Sequence, residues 1–413
     1  MNTPSGRNII ALEWLQFGLG RLVAAAAEEG LTVHLLTCDR PEYLHELSLV
    51  RSPHLVVHDV NTHDVGEVVA AVRRIGDVAG LVSSTDTWSL VSLAVREELG
   101  LAGQDPAGVR LVRDKARLRR RLYEHGLSRA DASPLAPDDD ARAVAARVGL
   151  PLVLKDSAGT GSKHVWLART FDELASALEQ VRRSSLRGRP TAEPYFLGPL
   201  YSIETLTWEG RTRVLGVSSR ILSAPPVVRE EALAFPVALP PALAEDASGW
   251  IEQVLKAVGY TEGFAHTEFI LTDDGFEVVE INPRLGGGLL GEQMCRTLGV
   301  NVYGAFVDLA LRRRPALLDA PLIPRHGTAH ARVYAPCPGL FTAVEGEELL
   351  DGHPGDPALY PALPPGTVVQ ATSHQDGCVA VVFAHGATSE LALQNVLSAA
   401  AEISVRMEGE CRD

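Results

Sequence analysis

Glu268, Glu280, Asn282 and Arg284 lie close together in the stretch Phe264 to Glu292, FAHTEFILTDDGFEVVEINPRLGGGLLGE. Phe269-Ile270-Leu271 and Phe276 to Val279 read as two strands, with Thr272-Asp273-Asp274-Gly275 as the turn between them. Such a hairpin can set Glu268 and Glu280 side by side across the ladder. Adjacent carboxylates repel unless a cation lies between them. Oxygen ligands from Glu268, Glu280 and Asn282 suit Mg²⁺, which usually completes its octahedron with waters and substrate phosphates. Arg284 would then add a fixed positive charge beside those phosphates. The same residues also suit an exposed hairpin with ordinary surface acids, so the segments upstream must decide.

Upstream, Pro151-Leu152-Val153-Leu154-Lys155 is a short apolar strand ending in lysine. Asp156-Ser157-Ala158-Gly159-Thr160-Gly161-Ser162-Lys163-His164 follows, then the strand Val165-Trp166-Leu167. Two strands joined by a small, glycine-rich loop make a flap whose backbone N–H groups can close over phosphates. It is not a Walker A loop, because no helix follows and that motif's spacing is absent. A plain hairpin turn would explain Gly159 and Gly161 but not the lysine that ends the strand. Only four lysines occur, Lys115, Lys155, Lys163 and Lys256, among 38 basic residues. A chain that otherwise favours arginine keeps lysine where a compact ammonium is wanted, and three of the four sit in or beside these segments. Glu193-Pro194-Tyr195-Phe196 fits two roles equally, a backbone edge for adenine or a connector between lobes.

These residues need elements to position them. Asn8 to Trp14, Thr32 to Thr37 and Gly80 to Ser84 read as strands, alternating with helices at Arg21 to Glu29, Val65 to Arg74 and Leu90 to Leu99, which is a parallel α/β arrangement. Gly18-Leu19-Gly20 with Asp39 partly imitates a dinucleotide fingerprint, but Val23 stands where its third glycine belongs. A tight strand-to-helix turn explains both glycines as well. Val112 to Glu124 is a basic helix, and breaks fall at 131–140, 182–190 and 312–325. Strands are expected at Tyr201 to Thr207 and Thr212 to Val217, with helices at Ser248 to Val258 and Glu390 to Arg406. Substrate-pocket residues are expected on loops such as Ser223 to Pro236 and around Leu289 to Met294.

A net charge of −14 argues against nucleic acid as the main partner. An anionic nucleotide would have to be held by local positive charge. No apolar run approaches a membrane span, and no signal peptide is evident. Five scattered cysteines without a CxxC pair suggest a reducing compartment, with neither a disulfide framework nor a zinc site.

Taken in order, the Lys115 helix, the Lys155 strand, the flap, Glu193 and the Glu268–Arg284 hairpin resemble the ATP-grasp superfamily over nearly the whole chain. The likeness is greatest to carboxylate–amine ligases of the L-amino-acid ligase type, which condense two small molecules through an acyl phosphate. RDKARLRRRL (113–122), PLVLKDSAGTGSKHV (151–165), EPYFLGPLYSIE (193–204), HTEF (266–269) and VVEINPRLGGG (278–288) carry it. The resemblance implies an α/β fold, α+β in parts, with an N-terminal parallel α/β domain (1–112), a small lid domain (113–190), a larger C-terminal α+β domain (191–318) and a C-terminal subdomain (319–413).

It also implies roles. Lys115 and Lys155 would hold the phosphates of ATP, and Ser157, Gly159, Gly161, Ser162 and Lys163 would cover them. Glu193, Pro194, Tyr195 and Phe196 would hold adenine, with Glu204 near the nucleotide or its metal. Glu268, Glu280 and Asn282 would bind Mg²⁺, with Mn²⁺ as a substitute. Arg284 would act with Glu280 and Lys155 in catalysis, and Gly286, Gly287 and Gly288 would approach the substrate carboxylate. The implied partners are a small carboxylate and an amine in a cytoplasmic enzyme of specialised metabolism, with a homodimer left open. Two positions depart from the family's pattern: His164 stands where relatives often have glycine, and Leu200 where many have an acidic residue. The rival readings are an ATP-dependent carboxylase of the biotin or purine branch and an ATP-binding module without turnover.

Overall fold

The computed structural model describes residues 7–161, 163–224 and 228–408. At the N-terminus, four parallel strands run in the order Leu55–Asp59, Thr32–Thr37, Asn8–Leu12, Val78–Val82. Their connecting helices begin and end where local chemistry directs. In Val65–Ile75, Asp64 caps the first turn by accepting from Glu67 N, and Gly76 closes it at φ +65°. The helix Leu19–Glu28 starts at Gly18, which has φ +95° and lies so close to Tyr303 that a Cβ would come within 2.1 Å of its hydroxyl oxygen. Close packing and a left-handed turn therefore account for that glycine without a dinucleotide.

A four-stranded sheet follows, in the order Ser133–Pro134, Pro190–Pro194, Leu152–Asp156, Val165–Ala168. Leu152 and Leu154 bury one face against Val144, Leu174 and Leu178. Alternation sends Lys155 to the other face. Glu193, in the segment that fits either an adenine edge or a connector between lobes, is on an inner strand of this sheet, opposite Val153. The helix Lys115–Glu124, capped by Asp114, packs Leu118 and Leu122 against Ile251, Val254 and Phe269 of the next unit.

The largest element is an eight-stranded antiparallel sheet. Its order is Gly275–Asn282, Gly263–Thr272, Leu200–Trp208, Arg211–Leu222, Glu230–Phe235, Gly327–Tyr334, Cys378–Gly386, Ala358–Pro361. It runs unbroken from the expected third unit into the expected fourth. Glu230–Phe235, expected within a loop, is a central strand whose run of buried apolar residues pairs on both sides. Helix Pro241–Ala257 starts a full two turns before the expected Ser248, from a proline in its first turn.

The last expected helix stops at Ala400, and Ser404–Glu408 is a strand. The reason is periodicity: Ile403, Val405 and Met407 recur every second residue and pack beside Phe341 in a small three-stranded sheet. Cys38, Cys295 and Cys378 are free thiols, whereas Cys337 is disulfide-bonded, a pairing that the scattered cysteines had not suggested. Among the described residues no helix is long and apolar enough to cross a membrane.

Candidate active site

Strand register builds the site. His266 pairs with Asn282 and with Glu204, and Glu268 pairs with Glu280 and with Ser202. Residues directly opposite in a ladder share a face, so these polar side chains form two adjacent rows. A bulge after Glu268 ends the strict pairing. Farther along the sheet, Arg220 pairs with Leu233 and Leu233 with His330, which brings Arg220, His330 and, two residues on, Arg332 to the same side. The lid sheet, the Lys115 helix and the turn at Asp86 complete an open cavity over this face.

Glu280 and Glu268 each carry a positive partner. Lys115 Nζ lies 3.0 Å from Glu280 Oε2 and donates to Gly159 O at 2.5 Å. A cation in the first turn of a helix is opposed by the helix dipole, so this lysine is placed by its contacts and not by helix propensity. Asn282 Nδ2 donates to Glu280 Oε1 at 2.8 Å. Burial alone would raise the Glu280 pKa, but Lys115 and the Asn282 amide hold it below the ordinary carboxylate value. Arg220 Nη1 lies 3.0 Å from Glu268 Oε1. Among the described residues no group of three His, Cys, Asp or Glu side chains gathers as a metal cage. Two carboxylates and an amide nevertheless fit a hard divalent ion that takes its remaining ligands from water and phosphate.

Lys155 is nearly buried and lies 2.7 Å from Glu193 Oε2, while Arg119 Nη2 reaches the same oxygen at 3.2 Å. Burial pulls the Lys155 pKa down, and Glu193 only partly restores it. Gly159, Thr160, Gly161 and Lys163 line the cavity. Ser162 lies outside the described residues. Ser157 is pinned beneath the flap: its N donates to Arg189 O, and its Oγ accepts from Arg189 N, both at 3.0 Å. Lys163 Nζ pairs with Asp376 Oδ2 at 2.5 Å. His164 adopts φ +58°, the left-handed region where glycine is easiest, and stacks on Trp166.

Pro194, Tyr195 and Phe196 line the cavity beside Glu193 and Leu200. The Tyr195 N–H is spent on Pro151 O at 3.0 Å, and Phe196 lies beneath the guanidinium groups of Arg119 and Arg129. Glu204 sits behind the surface layer, accepting from His266 Nδ1 at 2.5 Å and from Gly286 N at 3.2 Å. The Gly286 N–H is therefore already engaged, and Gly287 is the member of the triplet that lines the cavity. A Cβ on Gly288, at φ +60°, would stand 3.1 Å from Arg332 Nη2. Burial lowers the His266 pKa, yet Glu204 overrides it and pushes the ring up to about 9.

Two family models match, an ATP-grasp domain over residues 148–292 and an L-amino acid ligase C-terminal domain 2 over residues 332–408. The solved L-amino acid ligase from Bacillus licheniformis superposes with a TM-score of 0.80, covering 98% of this chain and 100% of that one at 19% identity. Residues 148–292 are an ATP-grasp domain. Carnosine synthase 1 of Homo sapiens is 25% identical over 332 residues, 73% of this chain. This chain spans only 39% of that relative's length. The L-arginine-specific L-amino acid ligase of Bacillus subtilis is 20% identical over 300 residues, 71% of each chain.

Within this ATP-grasp frame, sequence reasoning missed a second charged group. Glu230 is paired with Arg220 Nη2, with Arg332 Nε at 3.0 Å and with His330 Nε2 at 3.6 Å. Burial would raise the Glu230 pKa, but Arg220 and Arg332 hold it well below the usual range. His330 Nδ1 meets Gln293 Oε1 at 3.0 Å. Asp86, Arg113 and Arg119 were missed too. A buried arginine and a buried glutamate on neighbouring strands were the available signal, and it becomes readable only once the register is known.

Proposed function

We propose that this ATP-grasp protein is an ATP- and Mg²⁺-dependent carboxylate–amine ligase that forms an amide or peptide bond through an acyl phosphate. The substrates are an amino acid and a second small molecule. One observation carries the reading: two lysines, paired hairpin carboxylates and a buried arginine converge on one cavity whose chain also matches an L-amino acid ligase C-terminal domain.

Transfer of the γ-phosphoryl group to a carboxylate brings two anions together, so catalysis is chiefly positioning and charge neutralisation. Lys115 and Lys155 exchange their carboxylate partners for the phosphates of ATP. Gly159, Gly161 and Lys163 cover those phosphates, and the segment Glu193 to Phe196 borders adenine. Glu268, Glu280 and Asn282 hold Mg²⁺, which when bound supplies positive charge to the phosphate oxygens. Arg284 presents planar N–H donors to the developing acyl phosphate. Closure of the flap keeps that species from water until the amine attacks. Gly287 and Gly288 let the substrate carboxylate approach the backbone.

Pairs of amino acids and small carboxylic acids, incubated with ATP and Mg²⁺, test the reading through ADP release. The expected result is release that requires both an acid and an amine. Release that instead requires bicarbonate would move the protein to a carboxylase role, and no release with any pair would count against turnover.

A further inference from the structure

Arg284 is not loose in the cavity. Its Nη2 donates to Asp86 Oδ2, and its Nη1 donates to Leu285 O at 2.8 Å. Asp86 belongs to the turn after the parallel strand Val78–Val82, 198 residues away in sequence. Its second oxygen, Oδ1, is buried without a hydrogen bond and faces Arg113 Nη1 at 3.8 Å. Asp86 and Arg284 both line the cavity, 16% and 13% exposed.

A guanidinium offers five N–H donors in one plane. Anchoring one donor on each Nη fixes that plane and leaves Nε and one donor on each Nη for an incoming oxyanion. Without Asp86 the side chain keeps one anchor, to a carbonyl beside its own backbone, and can swing about its long stem. We propose that Asp86 is the positioning residue for Arg284, and that this contact is how the N-terminal parallel sheet takes part in the chemistry. The identity of the oxyanion rests on the ligase reading above; the positioning claim rests on the contact itself.

Asp86→Asn keeps the size of the side chain and removes its charge, while Asp86→Glu keeps the charge. With an acid–amine pair that supports ADP release, Asp86→Asn should lower kcat by roughly 30- to 100-fold while KM for ATP stays within about 2-fold. Asp86→Glu should recover part of the loss. In an Arg284→Lys background, Asp86→Asn should add less than about 2-fold, because losses that act through one group do not multiply. A readout without turnover is the Arg284 Nε–Hε NMR resonance, assigned by its disappearance in Arg284→Lys. It should be single and sharp in the unaltered protein and shifted or broadened in Asp86→Asn. An unchanged kcat, losses that multiply in the double variant, or an unmoved resonance overturns the proposal. If the unaltered protein turns over no acid–amine pair, the ligase reading fails by itself, and the resonance alone decides the positioning claim. Should Asp86→Asn not fold, Asp86→Ser takes its place in the same measurements.

Discussion

Glu280 and Glu230 share one face of the eight-stranded sheet and are held in opposite ways. Glu280 has one lysine and one amide as partners, and its side chain is 22% exposed. Glu230 has two arginines and a histidine, and is 3% exposed. Both carboxyls are kept ionised against the cost of burial. The difference lies in what can be displaced. An ammonium on a flexible stem can hand Glu280 over to a metal ion and itself turn to a phosphate. The guanidinium groups around Glu230 are buried among one another, and removing one partner of such a group leaves an uncompensated charge. A charged residue held by exchangeable partners suits chemistry, and one sealed by rigid partners suits architecture.

Substitutions can break or sharpen that contrast. The largest effect is expected at Glu280→Gln or Glu268→Gln, which should cut turnover by roughly a thousandfold or more, since each removes a charge from the metal-binding group. Thermal unfolding should shift little, and added Mg²⁺ with ATP should stabilise the unaltered protein but not these variants. Near-normal kcat at saturating Mg²⁺ would remove Glu280 from the exchangeable class. Arg284→Lys should follow, with kcat down about 100-fold and ATP affinity changed less, because an ammonium cannot hold two oxygens as a planar guanidinium does.

Lys155→Ala should weaken ATP binding by about tenfold or more while leaving affinity for the acid substrate close to normal. Titration of nucleotide into the variant reads this directly, and unchanged affinity would sever Lys155 from the phosphates. The smallest effect on turnover is expected at Glu230→Gln, within about tenfold, with a loss of stability of about 3 kcal/mol. The carboxyl of Glu230 has a folded pKa below its unfolded value of about 4.3. Its stabilisation is therefore complete above that value and is lost as the pH falls toward the folded pKa. Acid denaturation should accordingly be less steep in Glu230→Gln. A variant that keeps full stability but loses ATP binding would reverse the contrast.

The two regions also differ in how far the sequence exposed them. Glu268, Glu280, Asn282 and Arg284 sit within 17 residues, so alternation and one turn were enough to bring them together. Lys155 was legible for a similar reason, as a charge ending an apolar run. Arg220, Glu230, His330 and Arg332 come from three strands, and nothing local in the sequence orders those strands. In the stretch Ser223 to Pro236, expected as loop, prolines and a charged run mask the strand Glu230–Phe235. The sequence leaves Glu193 open between an adenine edge and a connector, because its partner lysine lies 38 residues upstream. The final strand is hard to separate from the helix before it, since a short apolar alternation after an alanine-rich helix differs from it only in period.

The central claim is that the terminal phosphoryl group passes to a carboxylate before the amine attacks. Labelling the acid substrate's carboxylate with ¹⁸O tests it most directly. One labelled oxygen should appear in the released inorganic phosphate, with one ADP formed per amide and neither AMP nor pyrophosphate. Label in AMP would replace phosphoryl transfer by adenylation, and label confined to the product and water would contradict carboxylate activation altogether.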